Sequence, residues 1–96
     1  MSSENNKINS SDEKSMLDEL YNVIARLDNS EKVRLFLEDL CTRKELNQMS
    51  QRLLAAKLLN QGLTYTQVMD ETTISSTTLS RVSQALQYGE GYKLVL

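Results

Sequence analysis

The sequence predicts an all-α fold, and three observations point to it. Proline is absent and glycine occurs only three times in 96 residues. Residues that fill helix interiors at little cost, such as Leu, Ala, Gln, Glu and Lys, dominate the composition. Apolar residues recur at three- and four-residue steps, and strand-like runs of Val, Ile, Tyr and Phe are missing. A chain this short has a modest core, so burial through a dimer interface would add to its stability.

Two amphipathic helices are predicted in the first half of the chain. Residues 1–11 are mostly polar and are interpreted as a disordered N-terminal tail. The first helix spans about 12–27, and its apolar stripe consists of Met16, Leu17, Leu20, Tyr21, Ile24 and Leu27. The second spans about 31–41 and is capped by Asn29 or Ser30. Its apolar arc is broad, which is typical of a helix with two neighbours, and one of these could belong to another subunit.

A third helix, from the Thr42 cap to about Gln61, contains the part of the chain with a net positive charge. Thr42-Arg-Lys-Glu45 fits a capping box, and Gly62 ends the helix. Its predicted apolar positions are Leu46, Met49, Leu53, Leu54, Ala56 and Leu58. Residues 43–59 have a net charge of +3, whereas the whole chain has −2. This asymmetry is compatible with a basic face on an acidic protein.

The segment at about 64–83 has the spacing of a helix-turn-helix. Thr64-Tyr-Thr-Gln67 is a second capping box and begins a short helix that ends near Thr72. A longer helix follows from about Ser76 to Tyr88, capped by Ser75 and ended by Gly89. The remaining residues are read as a short tail whose apolar side chains, Tyr92, Leu94, Val95 and Leu96, should pack on something.

The apolar positions within this segment fit the packing of a helix-turn-helix. Counted from Tyr65 as the first position, the fourth, tenth, fifteenth and eighteenth must be apolar for the two helices to pack. These positions hold Val68, Ile74, Leu79 and Val82. The fifth position is usually small and the ninth usually glycine, but here they are Met69 and Thr73. The two departures predict an altered crossing or turn.

Side chains of the two helices offer groups that can contact DNA. Short hydroxyls approach phosphates and base edges closely, and arginine pairs with phosphate or guanine. The predicted DNA-binding residues are Thr64, Thr66, Gln67, Ser76, Thr77, Thr78, Ser80 and Arg81. The alternative is a helical dimer that acts as a protein-interaction module without DNA binding. The low positive charge of the segment favours that alternative, since Arg81 is its only cation.

The stretch from Leu40 to Leu86 resembles the tryptophan-repressor family, in particular the YerC/YecD type of low-GC Gram-positive bacteria. The resemblance is carried by LCT at 40–42, MSQR at 49–52, LLNQG at 58–62, TYTQV at 64–68 and ISSTTLSRV at 74–82. It implies that residues 12–96 form a single helical domain within an intertwined homodimer, with a helix-turn-helix head on each subunit. Such a dimer would bind double-stranded DNA at a palindromic operator and act as a repressor.

The resemblance also implies a possible effector pocket at Thr42, Arg52 and Arg81, the positions that match the family's corepressor site. Val82 and Ala85 stand where the family has a glycine that leaves room for the indole and a serine that holds the amino group. A turn residue before the last long helix is also missing. Added bulk and a lost hydrogen bond make tryptophan a poor ligand. A different small-molecule effector, or no pocket at all, both stay open.

Other classes of protein are disfavoured. The chain has no histidine, and its single cysteine, Cys41, has no evident base and is expected to be a small buried hydrophobe in a reducing compartment. Metal-ligand spacings and phosphate-cradling glycine loops are missing. Neither a membrane-spanning stretch nor a secretion signal is recognisable. We therefore expect a cytoplasmic protein without a cofactor that is not an enzyme and does not contact membranes.

Overall fold

The computed structural model describes residues 9–96, which fall into two compact units, the first ending at Leu40 and the second spanning Cys41–Leu96. Six α-helices and no strands occur in this described part. They are α1 Ser10–Ala25, α2 Ser30–Leu40, α3 Arg43–Asn60, α4 Tyr65–Glu71, α5 Ser76–Tyr88 and α6 Gly91–Val95. The predicted all-α fold is confirmed. That residues 12–96 behave as a single domain stays a prediction.

The first helix begins earlier than its apolar stripe suggested. Asn9 is its cap, and the Asn9 side chain accepts a hydrogen bond of 2.9 Å from the Asp12 backbone N–H. Ser10 and Ser11, which the sequence assigned to the disordered tail, are therefore helical. Residues 1–8, the rest of that predicted tail, lie outside the described residues. The first apolar residue of the helix, Met16, comes seven positions after the Asn9 cap, so the polar first turns resemble a tail in the sequence.

The cap of α2 is Asn29, one of the two predicted candidates. Its Oδ1 accepts a hydrogen bond of 2.9 Å from the Lys32 backbone N–H. The outer face of α2 carries Arg34, which is hydrogen bonded to both Glu31 and Glu38. These two carboxylates raise the pKa of the Arg34 guanidinium, chiefly through the bonds to Glu31. The ion pairs are exposed, so they contribute little to stability.

Neither helix of the first unit contains a buried residue. The predicted stripe of α1 is largely exposed, with Met16 and Tyr21 each 57% accessible and Leu17 49%. On α2, Leu35 and Leu40 are also exposed, while Val33, Phe36 and Leu37 are only half-buried. A two-helix segment with this much uncovered apolar surface lacks a core of its own.

The core of the described chain lies in the second unit, where α5 packs against α3, α4 and α6. Its buried members are Ala55, Ala56, Val68, Leu79 and Val82. Partly buried residues surround them: Leu58, Leu59, Leu63, Ile74 and Tyr92. The two alanines leave α3 without bulk at the contact, so neighbouring helices can approach closely. Sequence periodicity missed Ala55 and favoured Leu53 and Leu54, which are exposed.

The C-terminal residues form a short additional helix of the second unit rather than the predicted tail. Gly91–Val95 is a short helix, α6, and Tyr92 packs against the core. Leu94 and Val95 remain 85% and 70% exposed. Within the chain, therefore, only Tyr92 meets the expectation that the terminal apolar side chains pack.

Candidate nucleic-acid interface

The chain turns sharply between α3 and α4 at Gly62. Gly62 has φ +98°, a left-handed conformation that side chains other than glycine's rarely tolerate. The Leu63 N–H bonds to the Leu58 carbonyl at 3.1 Å, and the Gly62 N–H bonds to the Leu59 carbonyl at 3.0 Å. This pair of bonds is a Schellman motif, which closes the end of α3. The chain therefore leaves α3 in a defined direction and reaches the α4 cap, Thr64, two residues after Gly62.

Both halves of the predicted α4 capping box are present. The Thr64 Oγ1 accepts from the Gln67 N–H at 3.2 Å, and the Gln67 Oε1 accepts from the Thr64 N–H at 2.8 Å. The cap uses the oxygen of the Gln67 amide, so its NH₂ group keeps its two donors for another partner. Thr64, Thr66 and Gln67 are all exposed.

The turn between α4 and α5 contains no glycine and is held by hydrogen bonds from Thr72 and Thr73. Thr72 is buried, and its hydroxyl donates to the Val68 carbonyl at 2.8 Å. Thr73 needs no left-handed conformation, since no described residue other than glycine has a positive φ. Its N–H instead donates to the side-chain oxygen of Gln51 on α3 at 2.8 Å. Thr73, which stands where glycine is usual, therefore links the turn to α3 through its backbone N–H.

The first turn of α5 is fixed by Ser75. Its Oγ accepts from the Thr78 N–H at 3.1 Å and donates to the Thr78 Oγ1 at the same distance. Thr78 is half-buried, so its hydroxyl is less available to DNA than the sequence suggested. The other predicted α5 contacts, Ser76, Thr77, Ser80 and Arg81, are exposed. Thr77, Ser80 and Arg81 are spaced three and four residues apart, so they share one face of the helix.

Two of the three predicted effector residues line one cleft of about 360 Å³. We call it the Arg52–Arg81 cleft, and its other lining residues are Thr78, Val82, Ala85 and Tyr92. Thr42 is not among them, and its hydroxyl caps α3 by accepting from the Glu45 N–H at 3.1 Å. Tyr92 was missed from sequence, since it reaches the cleft only through α6.

A larger cleft of about 690 Å³ lies between the N-terminal half of α3 and the turn that leads into α5. We call it the α3–turn cleft. It is lined by Arg43, Lys44, Asn47, Gln48, Gln51, Arg52, Thr73, Ile74, Ser75 and Thr78. Ile74 is the only apolar member. Sequence reasoning did not identify this site, although the positive charge of residues 43–59 was the signal that belonged to it.

Within residues 9–96, no group of three or more His, Cys, Asp or Glu side chains is placed to hold a metal ion. None of the helices in that range is both long and apolar enough to cross a bilayer.

Comparison with known proteins identifies the family. The family described as "Trp repressor protein" matches residues 15–96. The uncharacterized protein YerC of Bacillus subtilis (strain 168) is 41% identical over 81 residues, which cover 83% of this chain and 78% of YerC. A crystal structure of a "putative Trp repressor" from Staphylococcus aureus is 38% identical and superposes with a TM-score of 0.79, covering 100% of this chain and 91% of that one. The chain belongs to the Trp repressor protein family.

Proposed function

We propose that the chain is a sequence-specific DNA-binding transcriptional regulator that represses transcription from a palindromic operator as a homodimer. One observation carries the proposal. Leu79 and Val82 fix α5 to the core while Thr77, Ser80 and Arg81 remain exposed on it. A rigidly held helix with a free polar face is what major-groove recognition requires. Family membership supports the regulatory role.

In this proposal, α5 enters the major groove. The hydroxyls of Ser76, Thr77 and Ser80 approach base edges and phosphates, and Arg81 pairs with guanine or a phosphate. On α4, Thr64, Thr66 and the free NH₂ of Gln67 contact the backbone and set the orientation of the head. Thr78 contributes less, since its hydroxyl is engaged by Ser75.

A second copy of the chain supplies what the first unit lacks. The stripes of α1 and α2 are exposed in a single chain, and burying them against their equivalents would create a shared core. Two heads on one two-fold axis would reach successive major grooves about 34 Å apart. The operator would therefore be palindromic, with half-sites one helical turn apart.

Tryptophan is not part of the proposal. Val82 and Ala85 line the Arg52–Arg81 cleft at the positions where the family accommodates tryptophan. If a small-molecule effector acts on this protein, we place it in that cleft, between the two guanidinium groups. Those groups would suit a ligand with an acidic group.

One observation favours a second candidate function, that of a protein-interaction module. Arg81 is the single cation on α4 and α5. DNA affinity depends on neutralising phosphates, so a head with one cation binds weakly unless other cations assist. A dimer of this kind would instead present α5 to a partner protein.

Selection of bound duplexes from a random DNA pool, with and without a small-molecule extract that contains tryptophan, separates these functions. An enriched palindrome supports the regulator, and loss of binding to it in Arg81→Ala locates the reading head. No enriched sequence would favour the interaction module. A difference between the two arms would establish an effector, and addition of tryptophan alone would test its identity.

A further inference from the structure

Most of the positive charge of the second unit lies on α3 rather than on the helix-turn-helix that is proposed to read DNA. Residues 43–59 have a net charge of +3, yet the helix-turn-helix itself contains one cation. The structure gathers part of that charge at one position, since Arg43, Lys44 and Arg52 all line the α3–turn cleft. No carboxylate belongs to the lining of this cleft. Its electrostatic potential should therefore be positive, although the chain as a whole is acidic.

Two of these cations lack an acidic partner. Across the described residues, neither Lys44 nor Arg52 forms an ion pair. The nearest acidic residue in sequence, Glu45, is occupied at the α3 cap, where its carboxylate accepts from the Thr42 N–H at 2.7 Å. That hydrogen bond lowers the Glu45 pKa and turns the carboxylate to the helix end. The ammonium of Lys44 and the guanidinium of Arg52 are thus available to an anion.

The remaining lining residues suit a phosphate better than an apolar ligand. Small-molecule pockets are mostly lined by hydrophobic and aromatic side chains. Nine of the ten lining residues here are polar or charged, with amides from Asn47 and Gln48 and hydroxyls near the start of α5. The cleft also borders the positive end of the α5 dipole at Ser75, which favours negative charge.

We propose that the α3–turn cleft binds the backbone of the DNA whose major groove α5 reads, with Lys44 and Arg52 each neutralising one phosphate. This inference rests on the proposed function. Its physical basis is continuity, because Ser75 and Thr78 belong both to the cleft and to the first turn of α5. DNA seated on that turn brings its flanking strand to the cleft. The cleft supplies positively charged phosphate contacts, of which α4 and α5 have only Arg81.

The salt dependence of DNA binding reports how many phosphates the protein neutralises. Each neutralised phosphate contributes about −0.9 to the slope of log K against log salt concentration. With Arg81 as the only cation on each of two heads, the slope would be about −2. With Lys44 and Arg52 also engaged on both subunits, it becomes about −5.

The test compares Lys44→Gln with Lys57→Gln, using the duplex selected by the full-length protein. Both variants remove one exposed charge from α3, but Lys57 does not line the cleft. Lys44→Gln should reduce the slope by about 1.8 per dimer, so that its affinity loss between 50 and 200 mM KCl is ~12-fold smaller than that of the wild type. Lys57→Gln should match the wild-type slope. Circular dichroism melting of both variants verifies that neither has lost its fold.

A second measurement locates the phosphate that Lys44 contacts. Neutral methylphosphonate is placed at one backbone position at a time in each half-site. One position should weaken wild-type binding but leave Lys44→Gln unaffected, because the two changes remove the same interaction. Equal penalties for both proteins at every position would overturn the proposal.

Other outcomes are equally decisive. If the wild type binds the selected duplex and Lys44→Gln retains its slope, the cleft assignment is wrong and the proposed function stands. If the wild type binds no DNA at all, the proposed function fails first. Calorimetry with pyrophosphate tests a free anion as the alternative source of the phosphate. Saturable binding that Lys44→Gln abolishes, together with an unchanged DNA salt slope, would overturn the assignment to DNA.

Discussion

The two units of the chain are helical to a similar degree but are stabilised differently. In residues 41–96, alanines on α3, Val68 on α4, and Leu79 and Val82 on α5 are removed from solvent. In α1 and α2, no side chain is buried, although both helices have well-defined apolar stripes and capped N-termini. Caps and helix propensity set where a helix begins and ends, but tertiary packing supplies most of its stability. The second unit has that packing, whereas the first would obtain it from a second copy of the chain in the proposed dimer.

Stability should therefore depend on protein concentration in the first unit and not in the second. A helix whose apolar face is covered by a second chain is stabilised by mass action. A helix packed on its own chain is not. Four changes test how each unit is stabilised.

The largest effect is expected from Leu17→Asp in the α1 stripe. If a second copy covers this face, each dimer acquires two buried carboxylates without partners, at a cost of several kcal/mol. Sedimentation should show a monomer at concentrations where the wild type is a dimer, and the circular dichroism signal of α1 and α2 should weaken. Asn22→Asp adds the same charge on the opposite side of α1 and should leave the dimer intact. Dimerisation of Leu17→Asp with wild-type affinity would exclude this face as the interface.

A smaller loss is expected from Leu79→Ala in the core of the second unit. Leu79 is fully buried, and leucine truncations in cores cost about 2–5 kcal/mol through lost burial and the cavity that remains. Chemical denaturation should show this loss at every protein concentration, unlike the effect of Leu17→Asp. Leu94→Ala is the control, because Leu94 is largely exposed and should change stability by less than about 0.5 kcal/mol. If the destabilisation by Leu79→Ala disappeared at high protein concentration, the second unit would also depend on a second copy for its stability, contrary to this prediction.

The tether between Gln51 and the Thr73 N–H should be worth about 1 kcal/mol, the usual contribution of one hydrogen bond. Gln51→Leu removes the acceptor, whereas Gln51→Glu keeps one. Hydrogen exchange of the Thr73 amide should quicken in Gln51→Leu and stay slow in Gln51→Glu. Equal exchange in both variants would show that the turn is held by other contacts.

The smallest effect concerns pH. The Thr42 N–H lowers the pKa of Glu45 below its ordinary value of 4.5. A carboxylate with a lowered pKa in the folded state stabilises that state above the unfolded value, and the contribution is lost as pH falls through the folded value. Between pH 5 and pH 3, therefore, melting temperature should fall more in the wild type than in Glu45→Gln, which caps without titrating. Parallel pH profiles would contradict this role for Glu45.

Local signals made much of the second unit predictable. The caps at Thr42, Thr64 and Ser75 and the end of α5 at Gly89 lie where the sequence placed them, because each rests on bonds within four residues. The helix α6 was missed because it is only one turn long and Glu90 makes no side-chain cap. Its order depends on Tyr92 packing against the core, which no local pattern reveals.

The candidate site was predictable only in part, for a physical reason. The helix-turn-helix positions follow a fixed spacing, so the sequence identified the exposed face of α5. The α3–turn cleft joins residues up to 35 positions apart, from Arg43 to Thr78, and only packing brings them together. Arg52 was linked to Arg81 through a family resemblance, not through spacing. Thr42, linked in the same way, faces the start of its own helix.

Cys41, the half-buried residue between α2 and α3, has a practical use. It is the only thiol in the sequence, so the native protein accepts a single spin label without mutagenesis. Every copy in an assembly then carries one probe at the same position. A pulsed electron paramagnetic resonance experiment would count the probes in a complex and measure the distance between them. One labelling reaction would thus report both the stoichiometry of the protein and any movement of its copies when DNA is added.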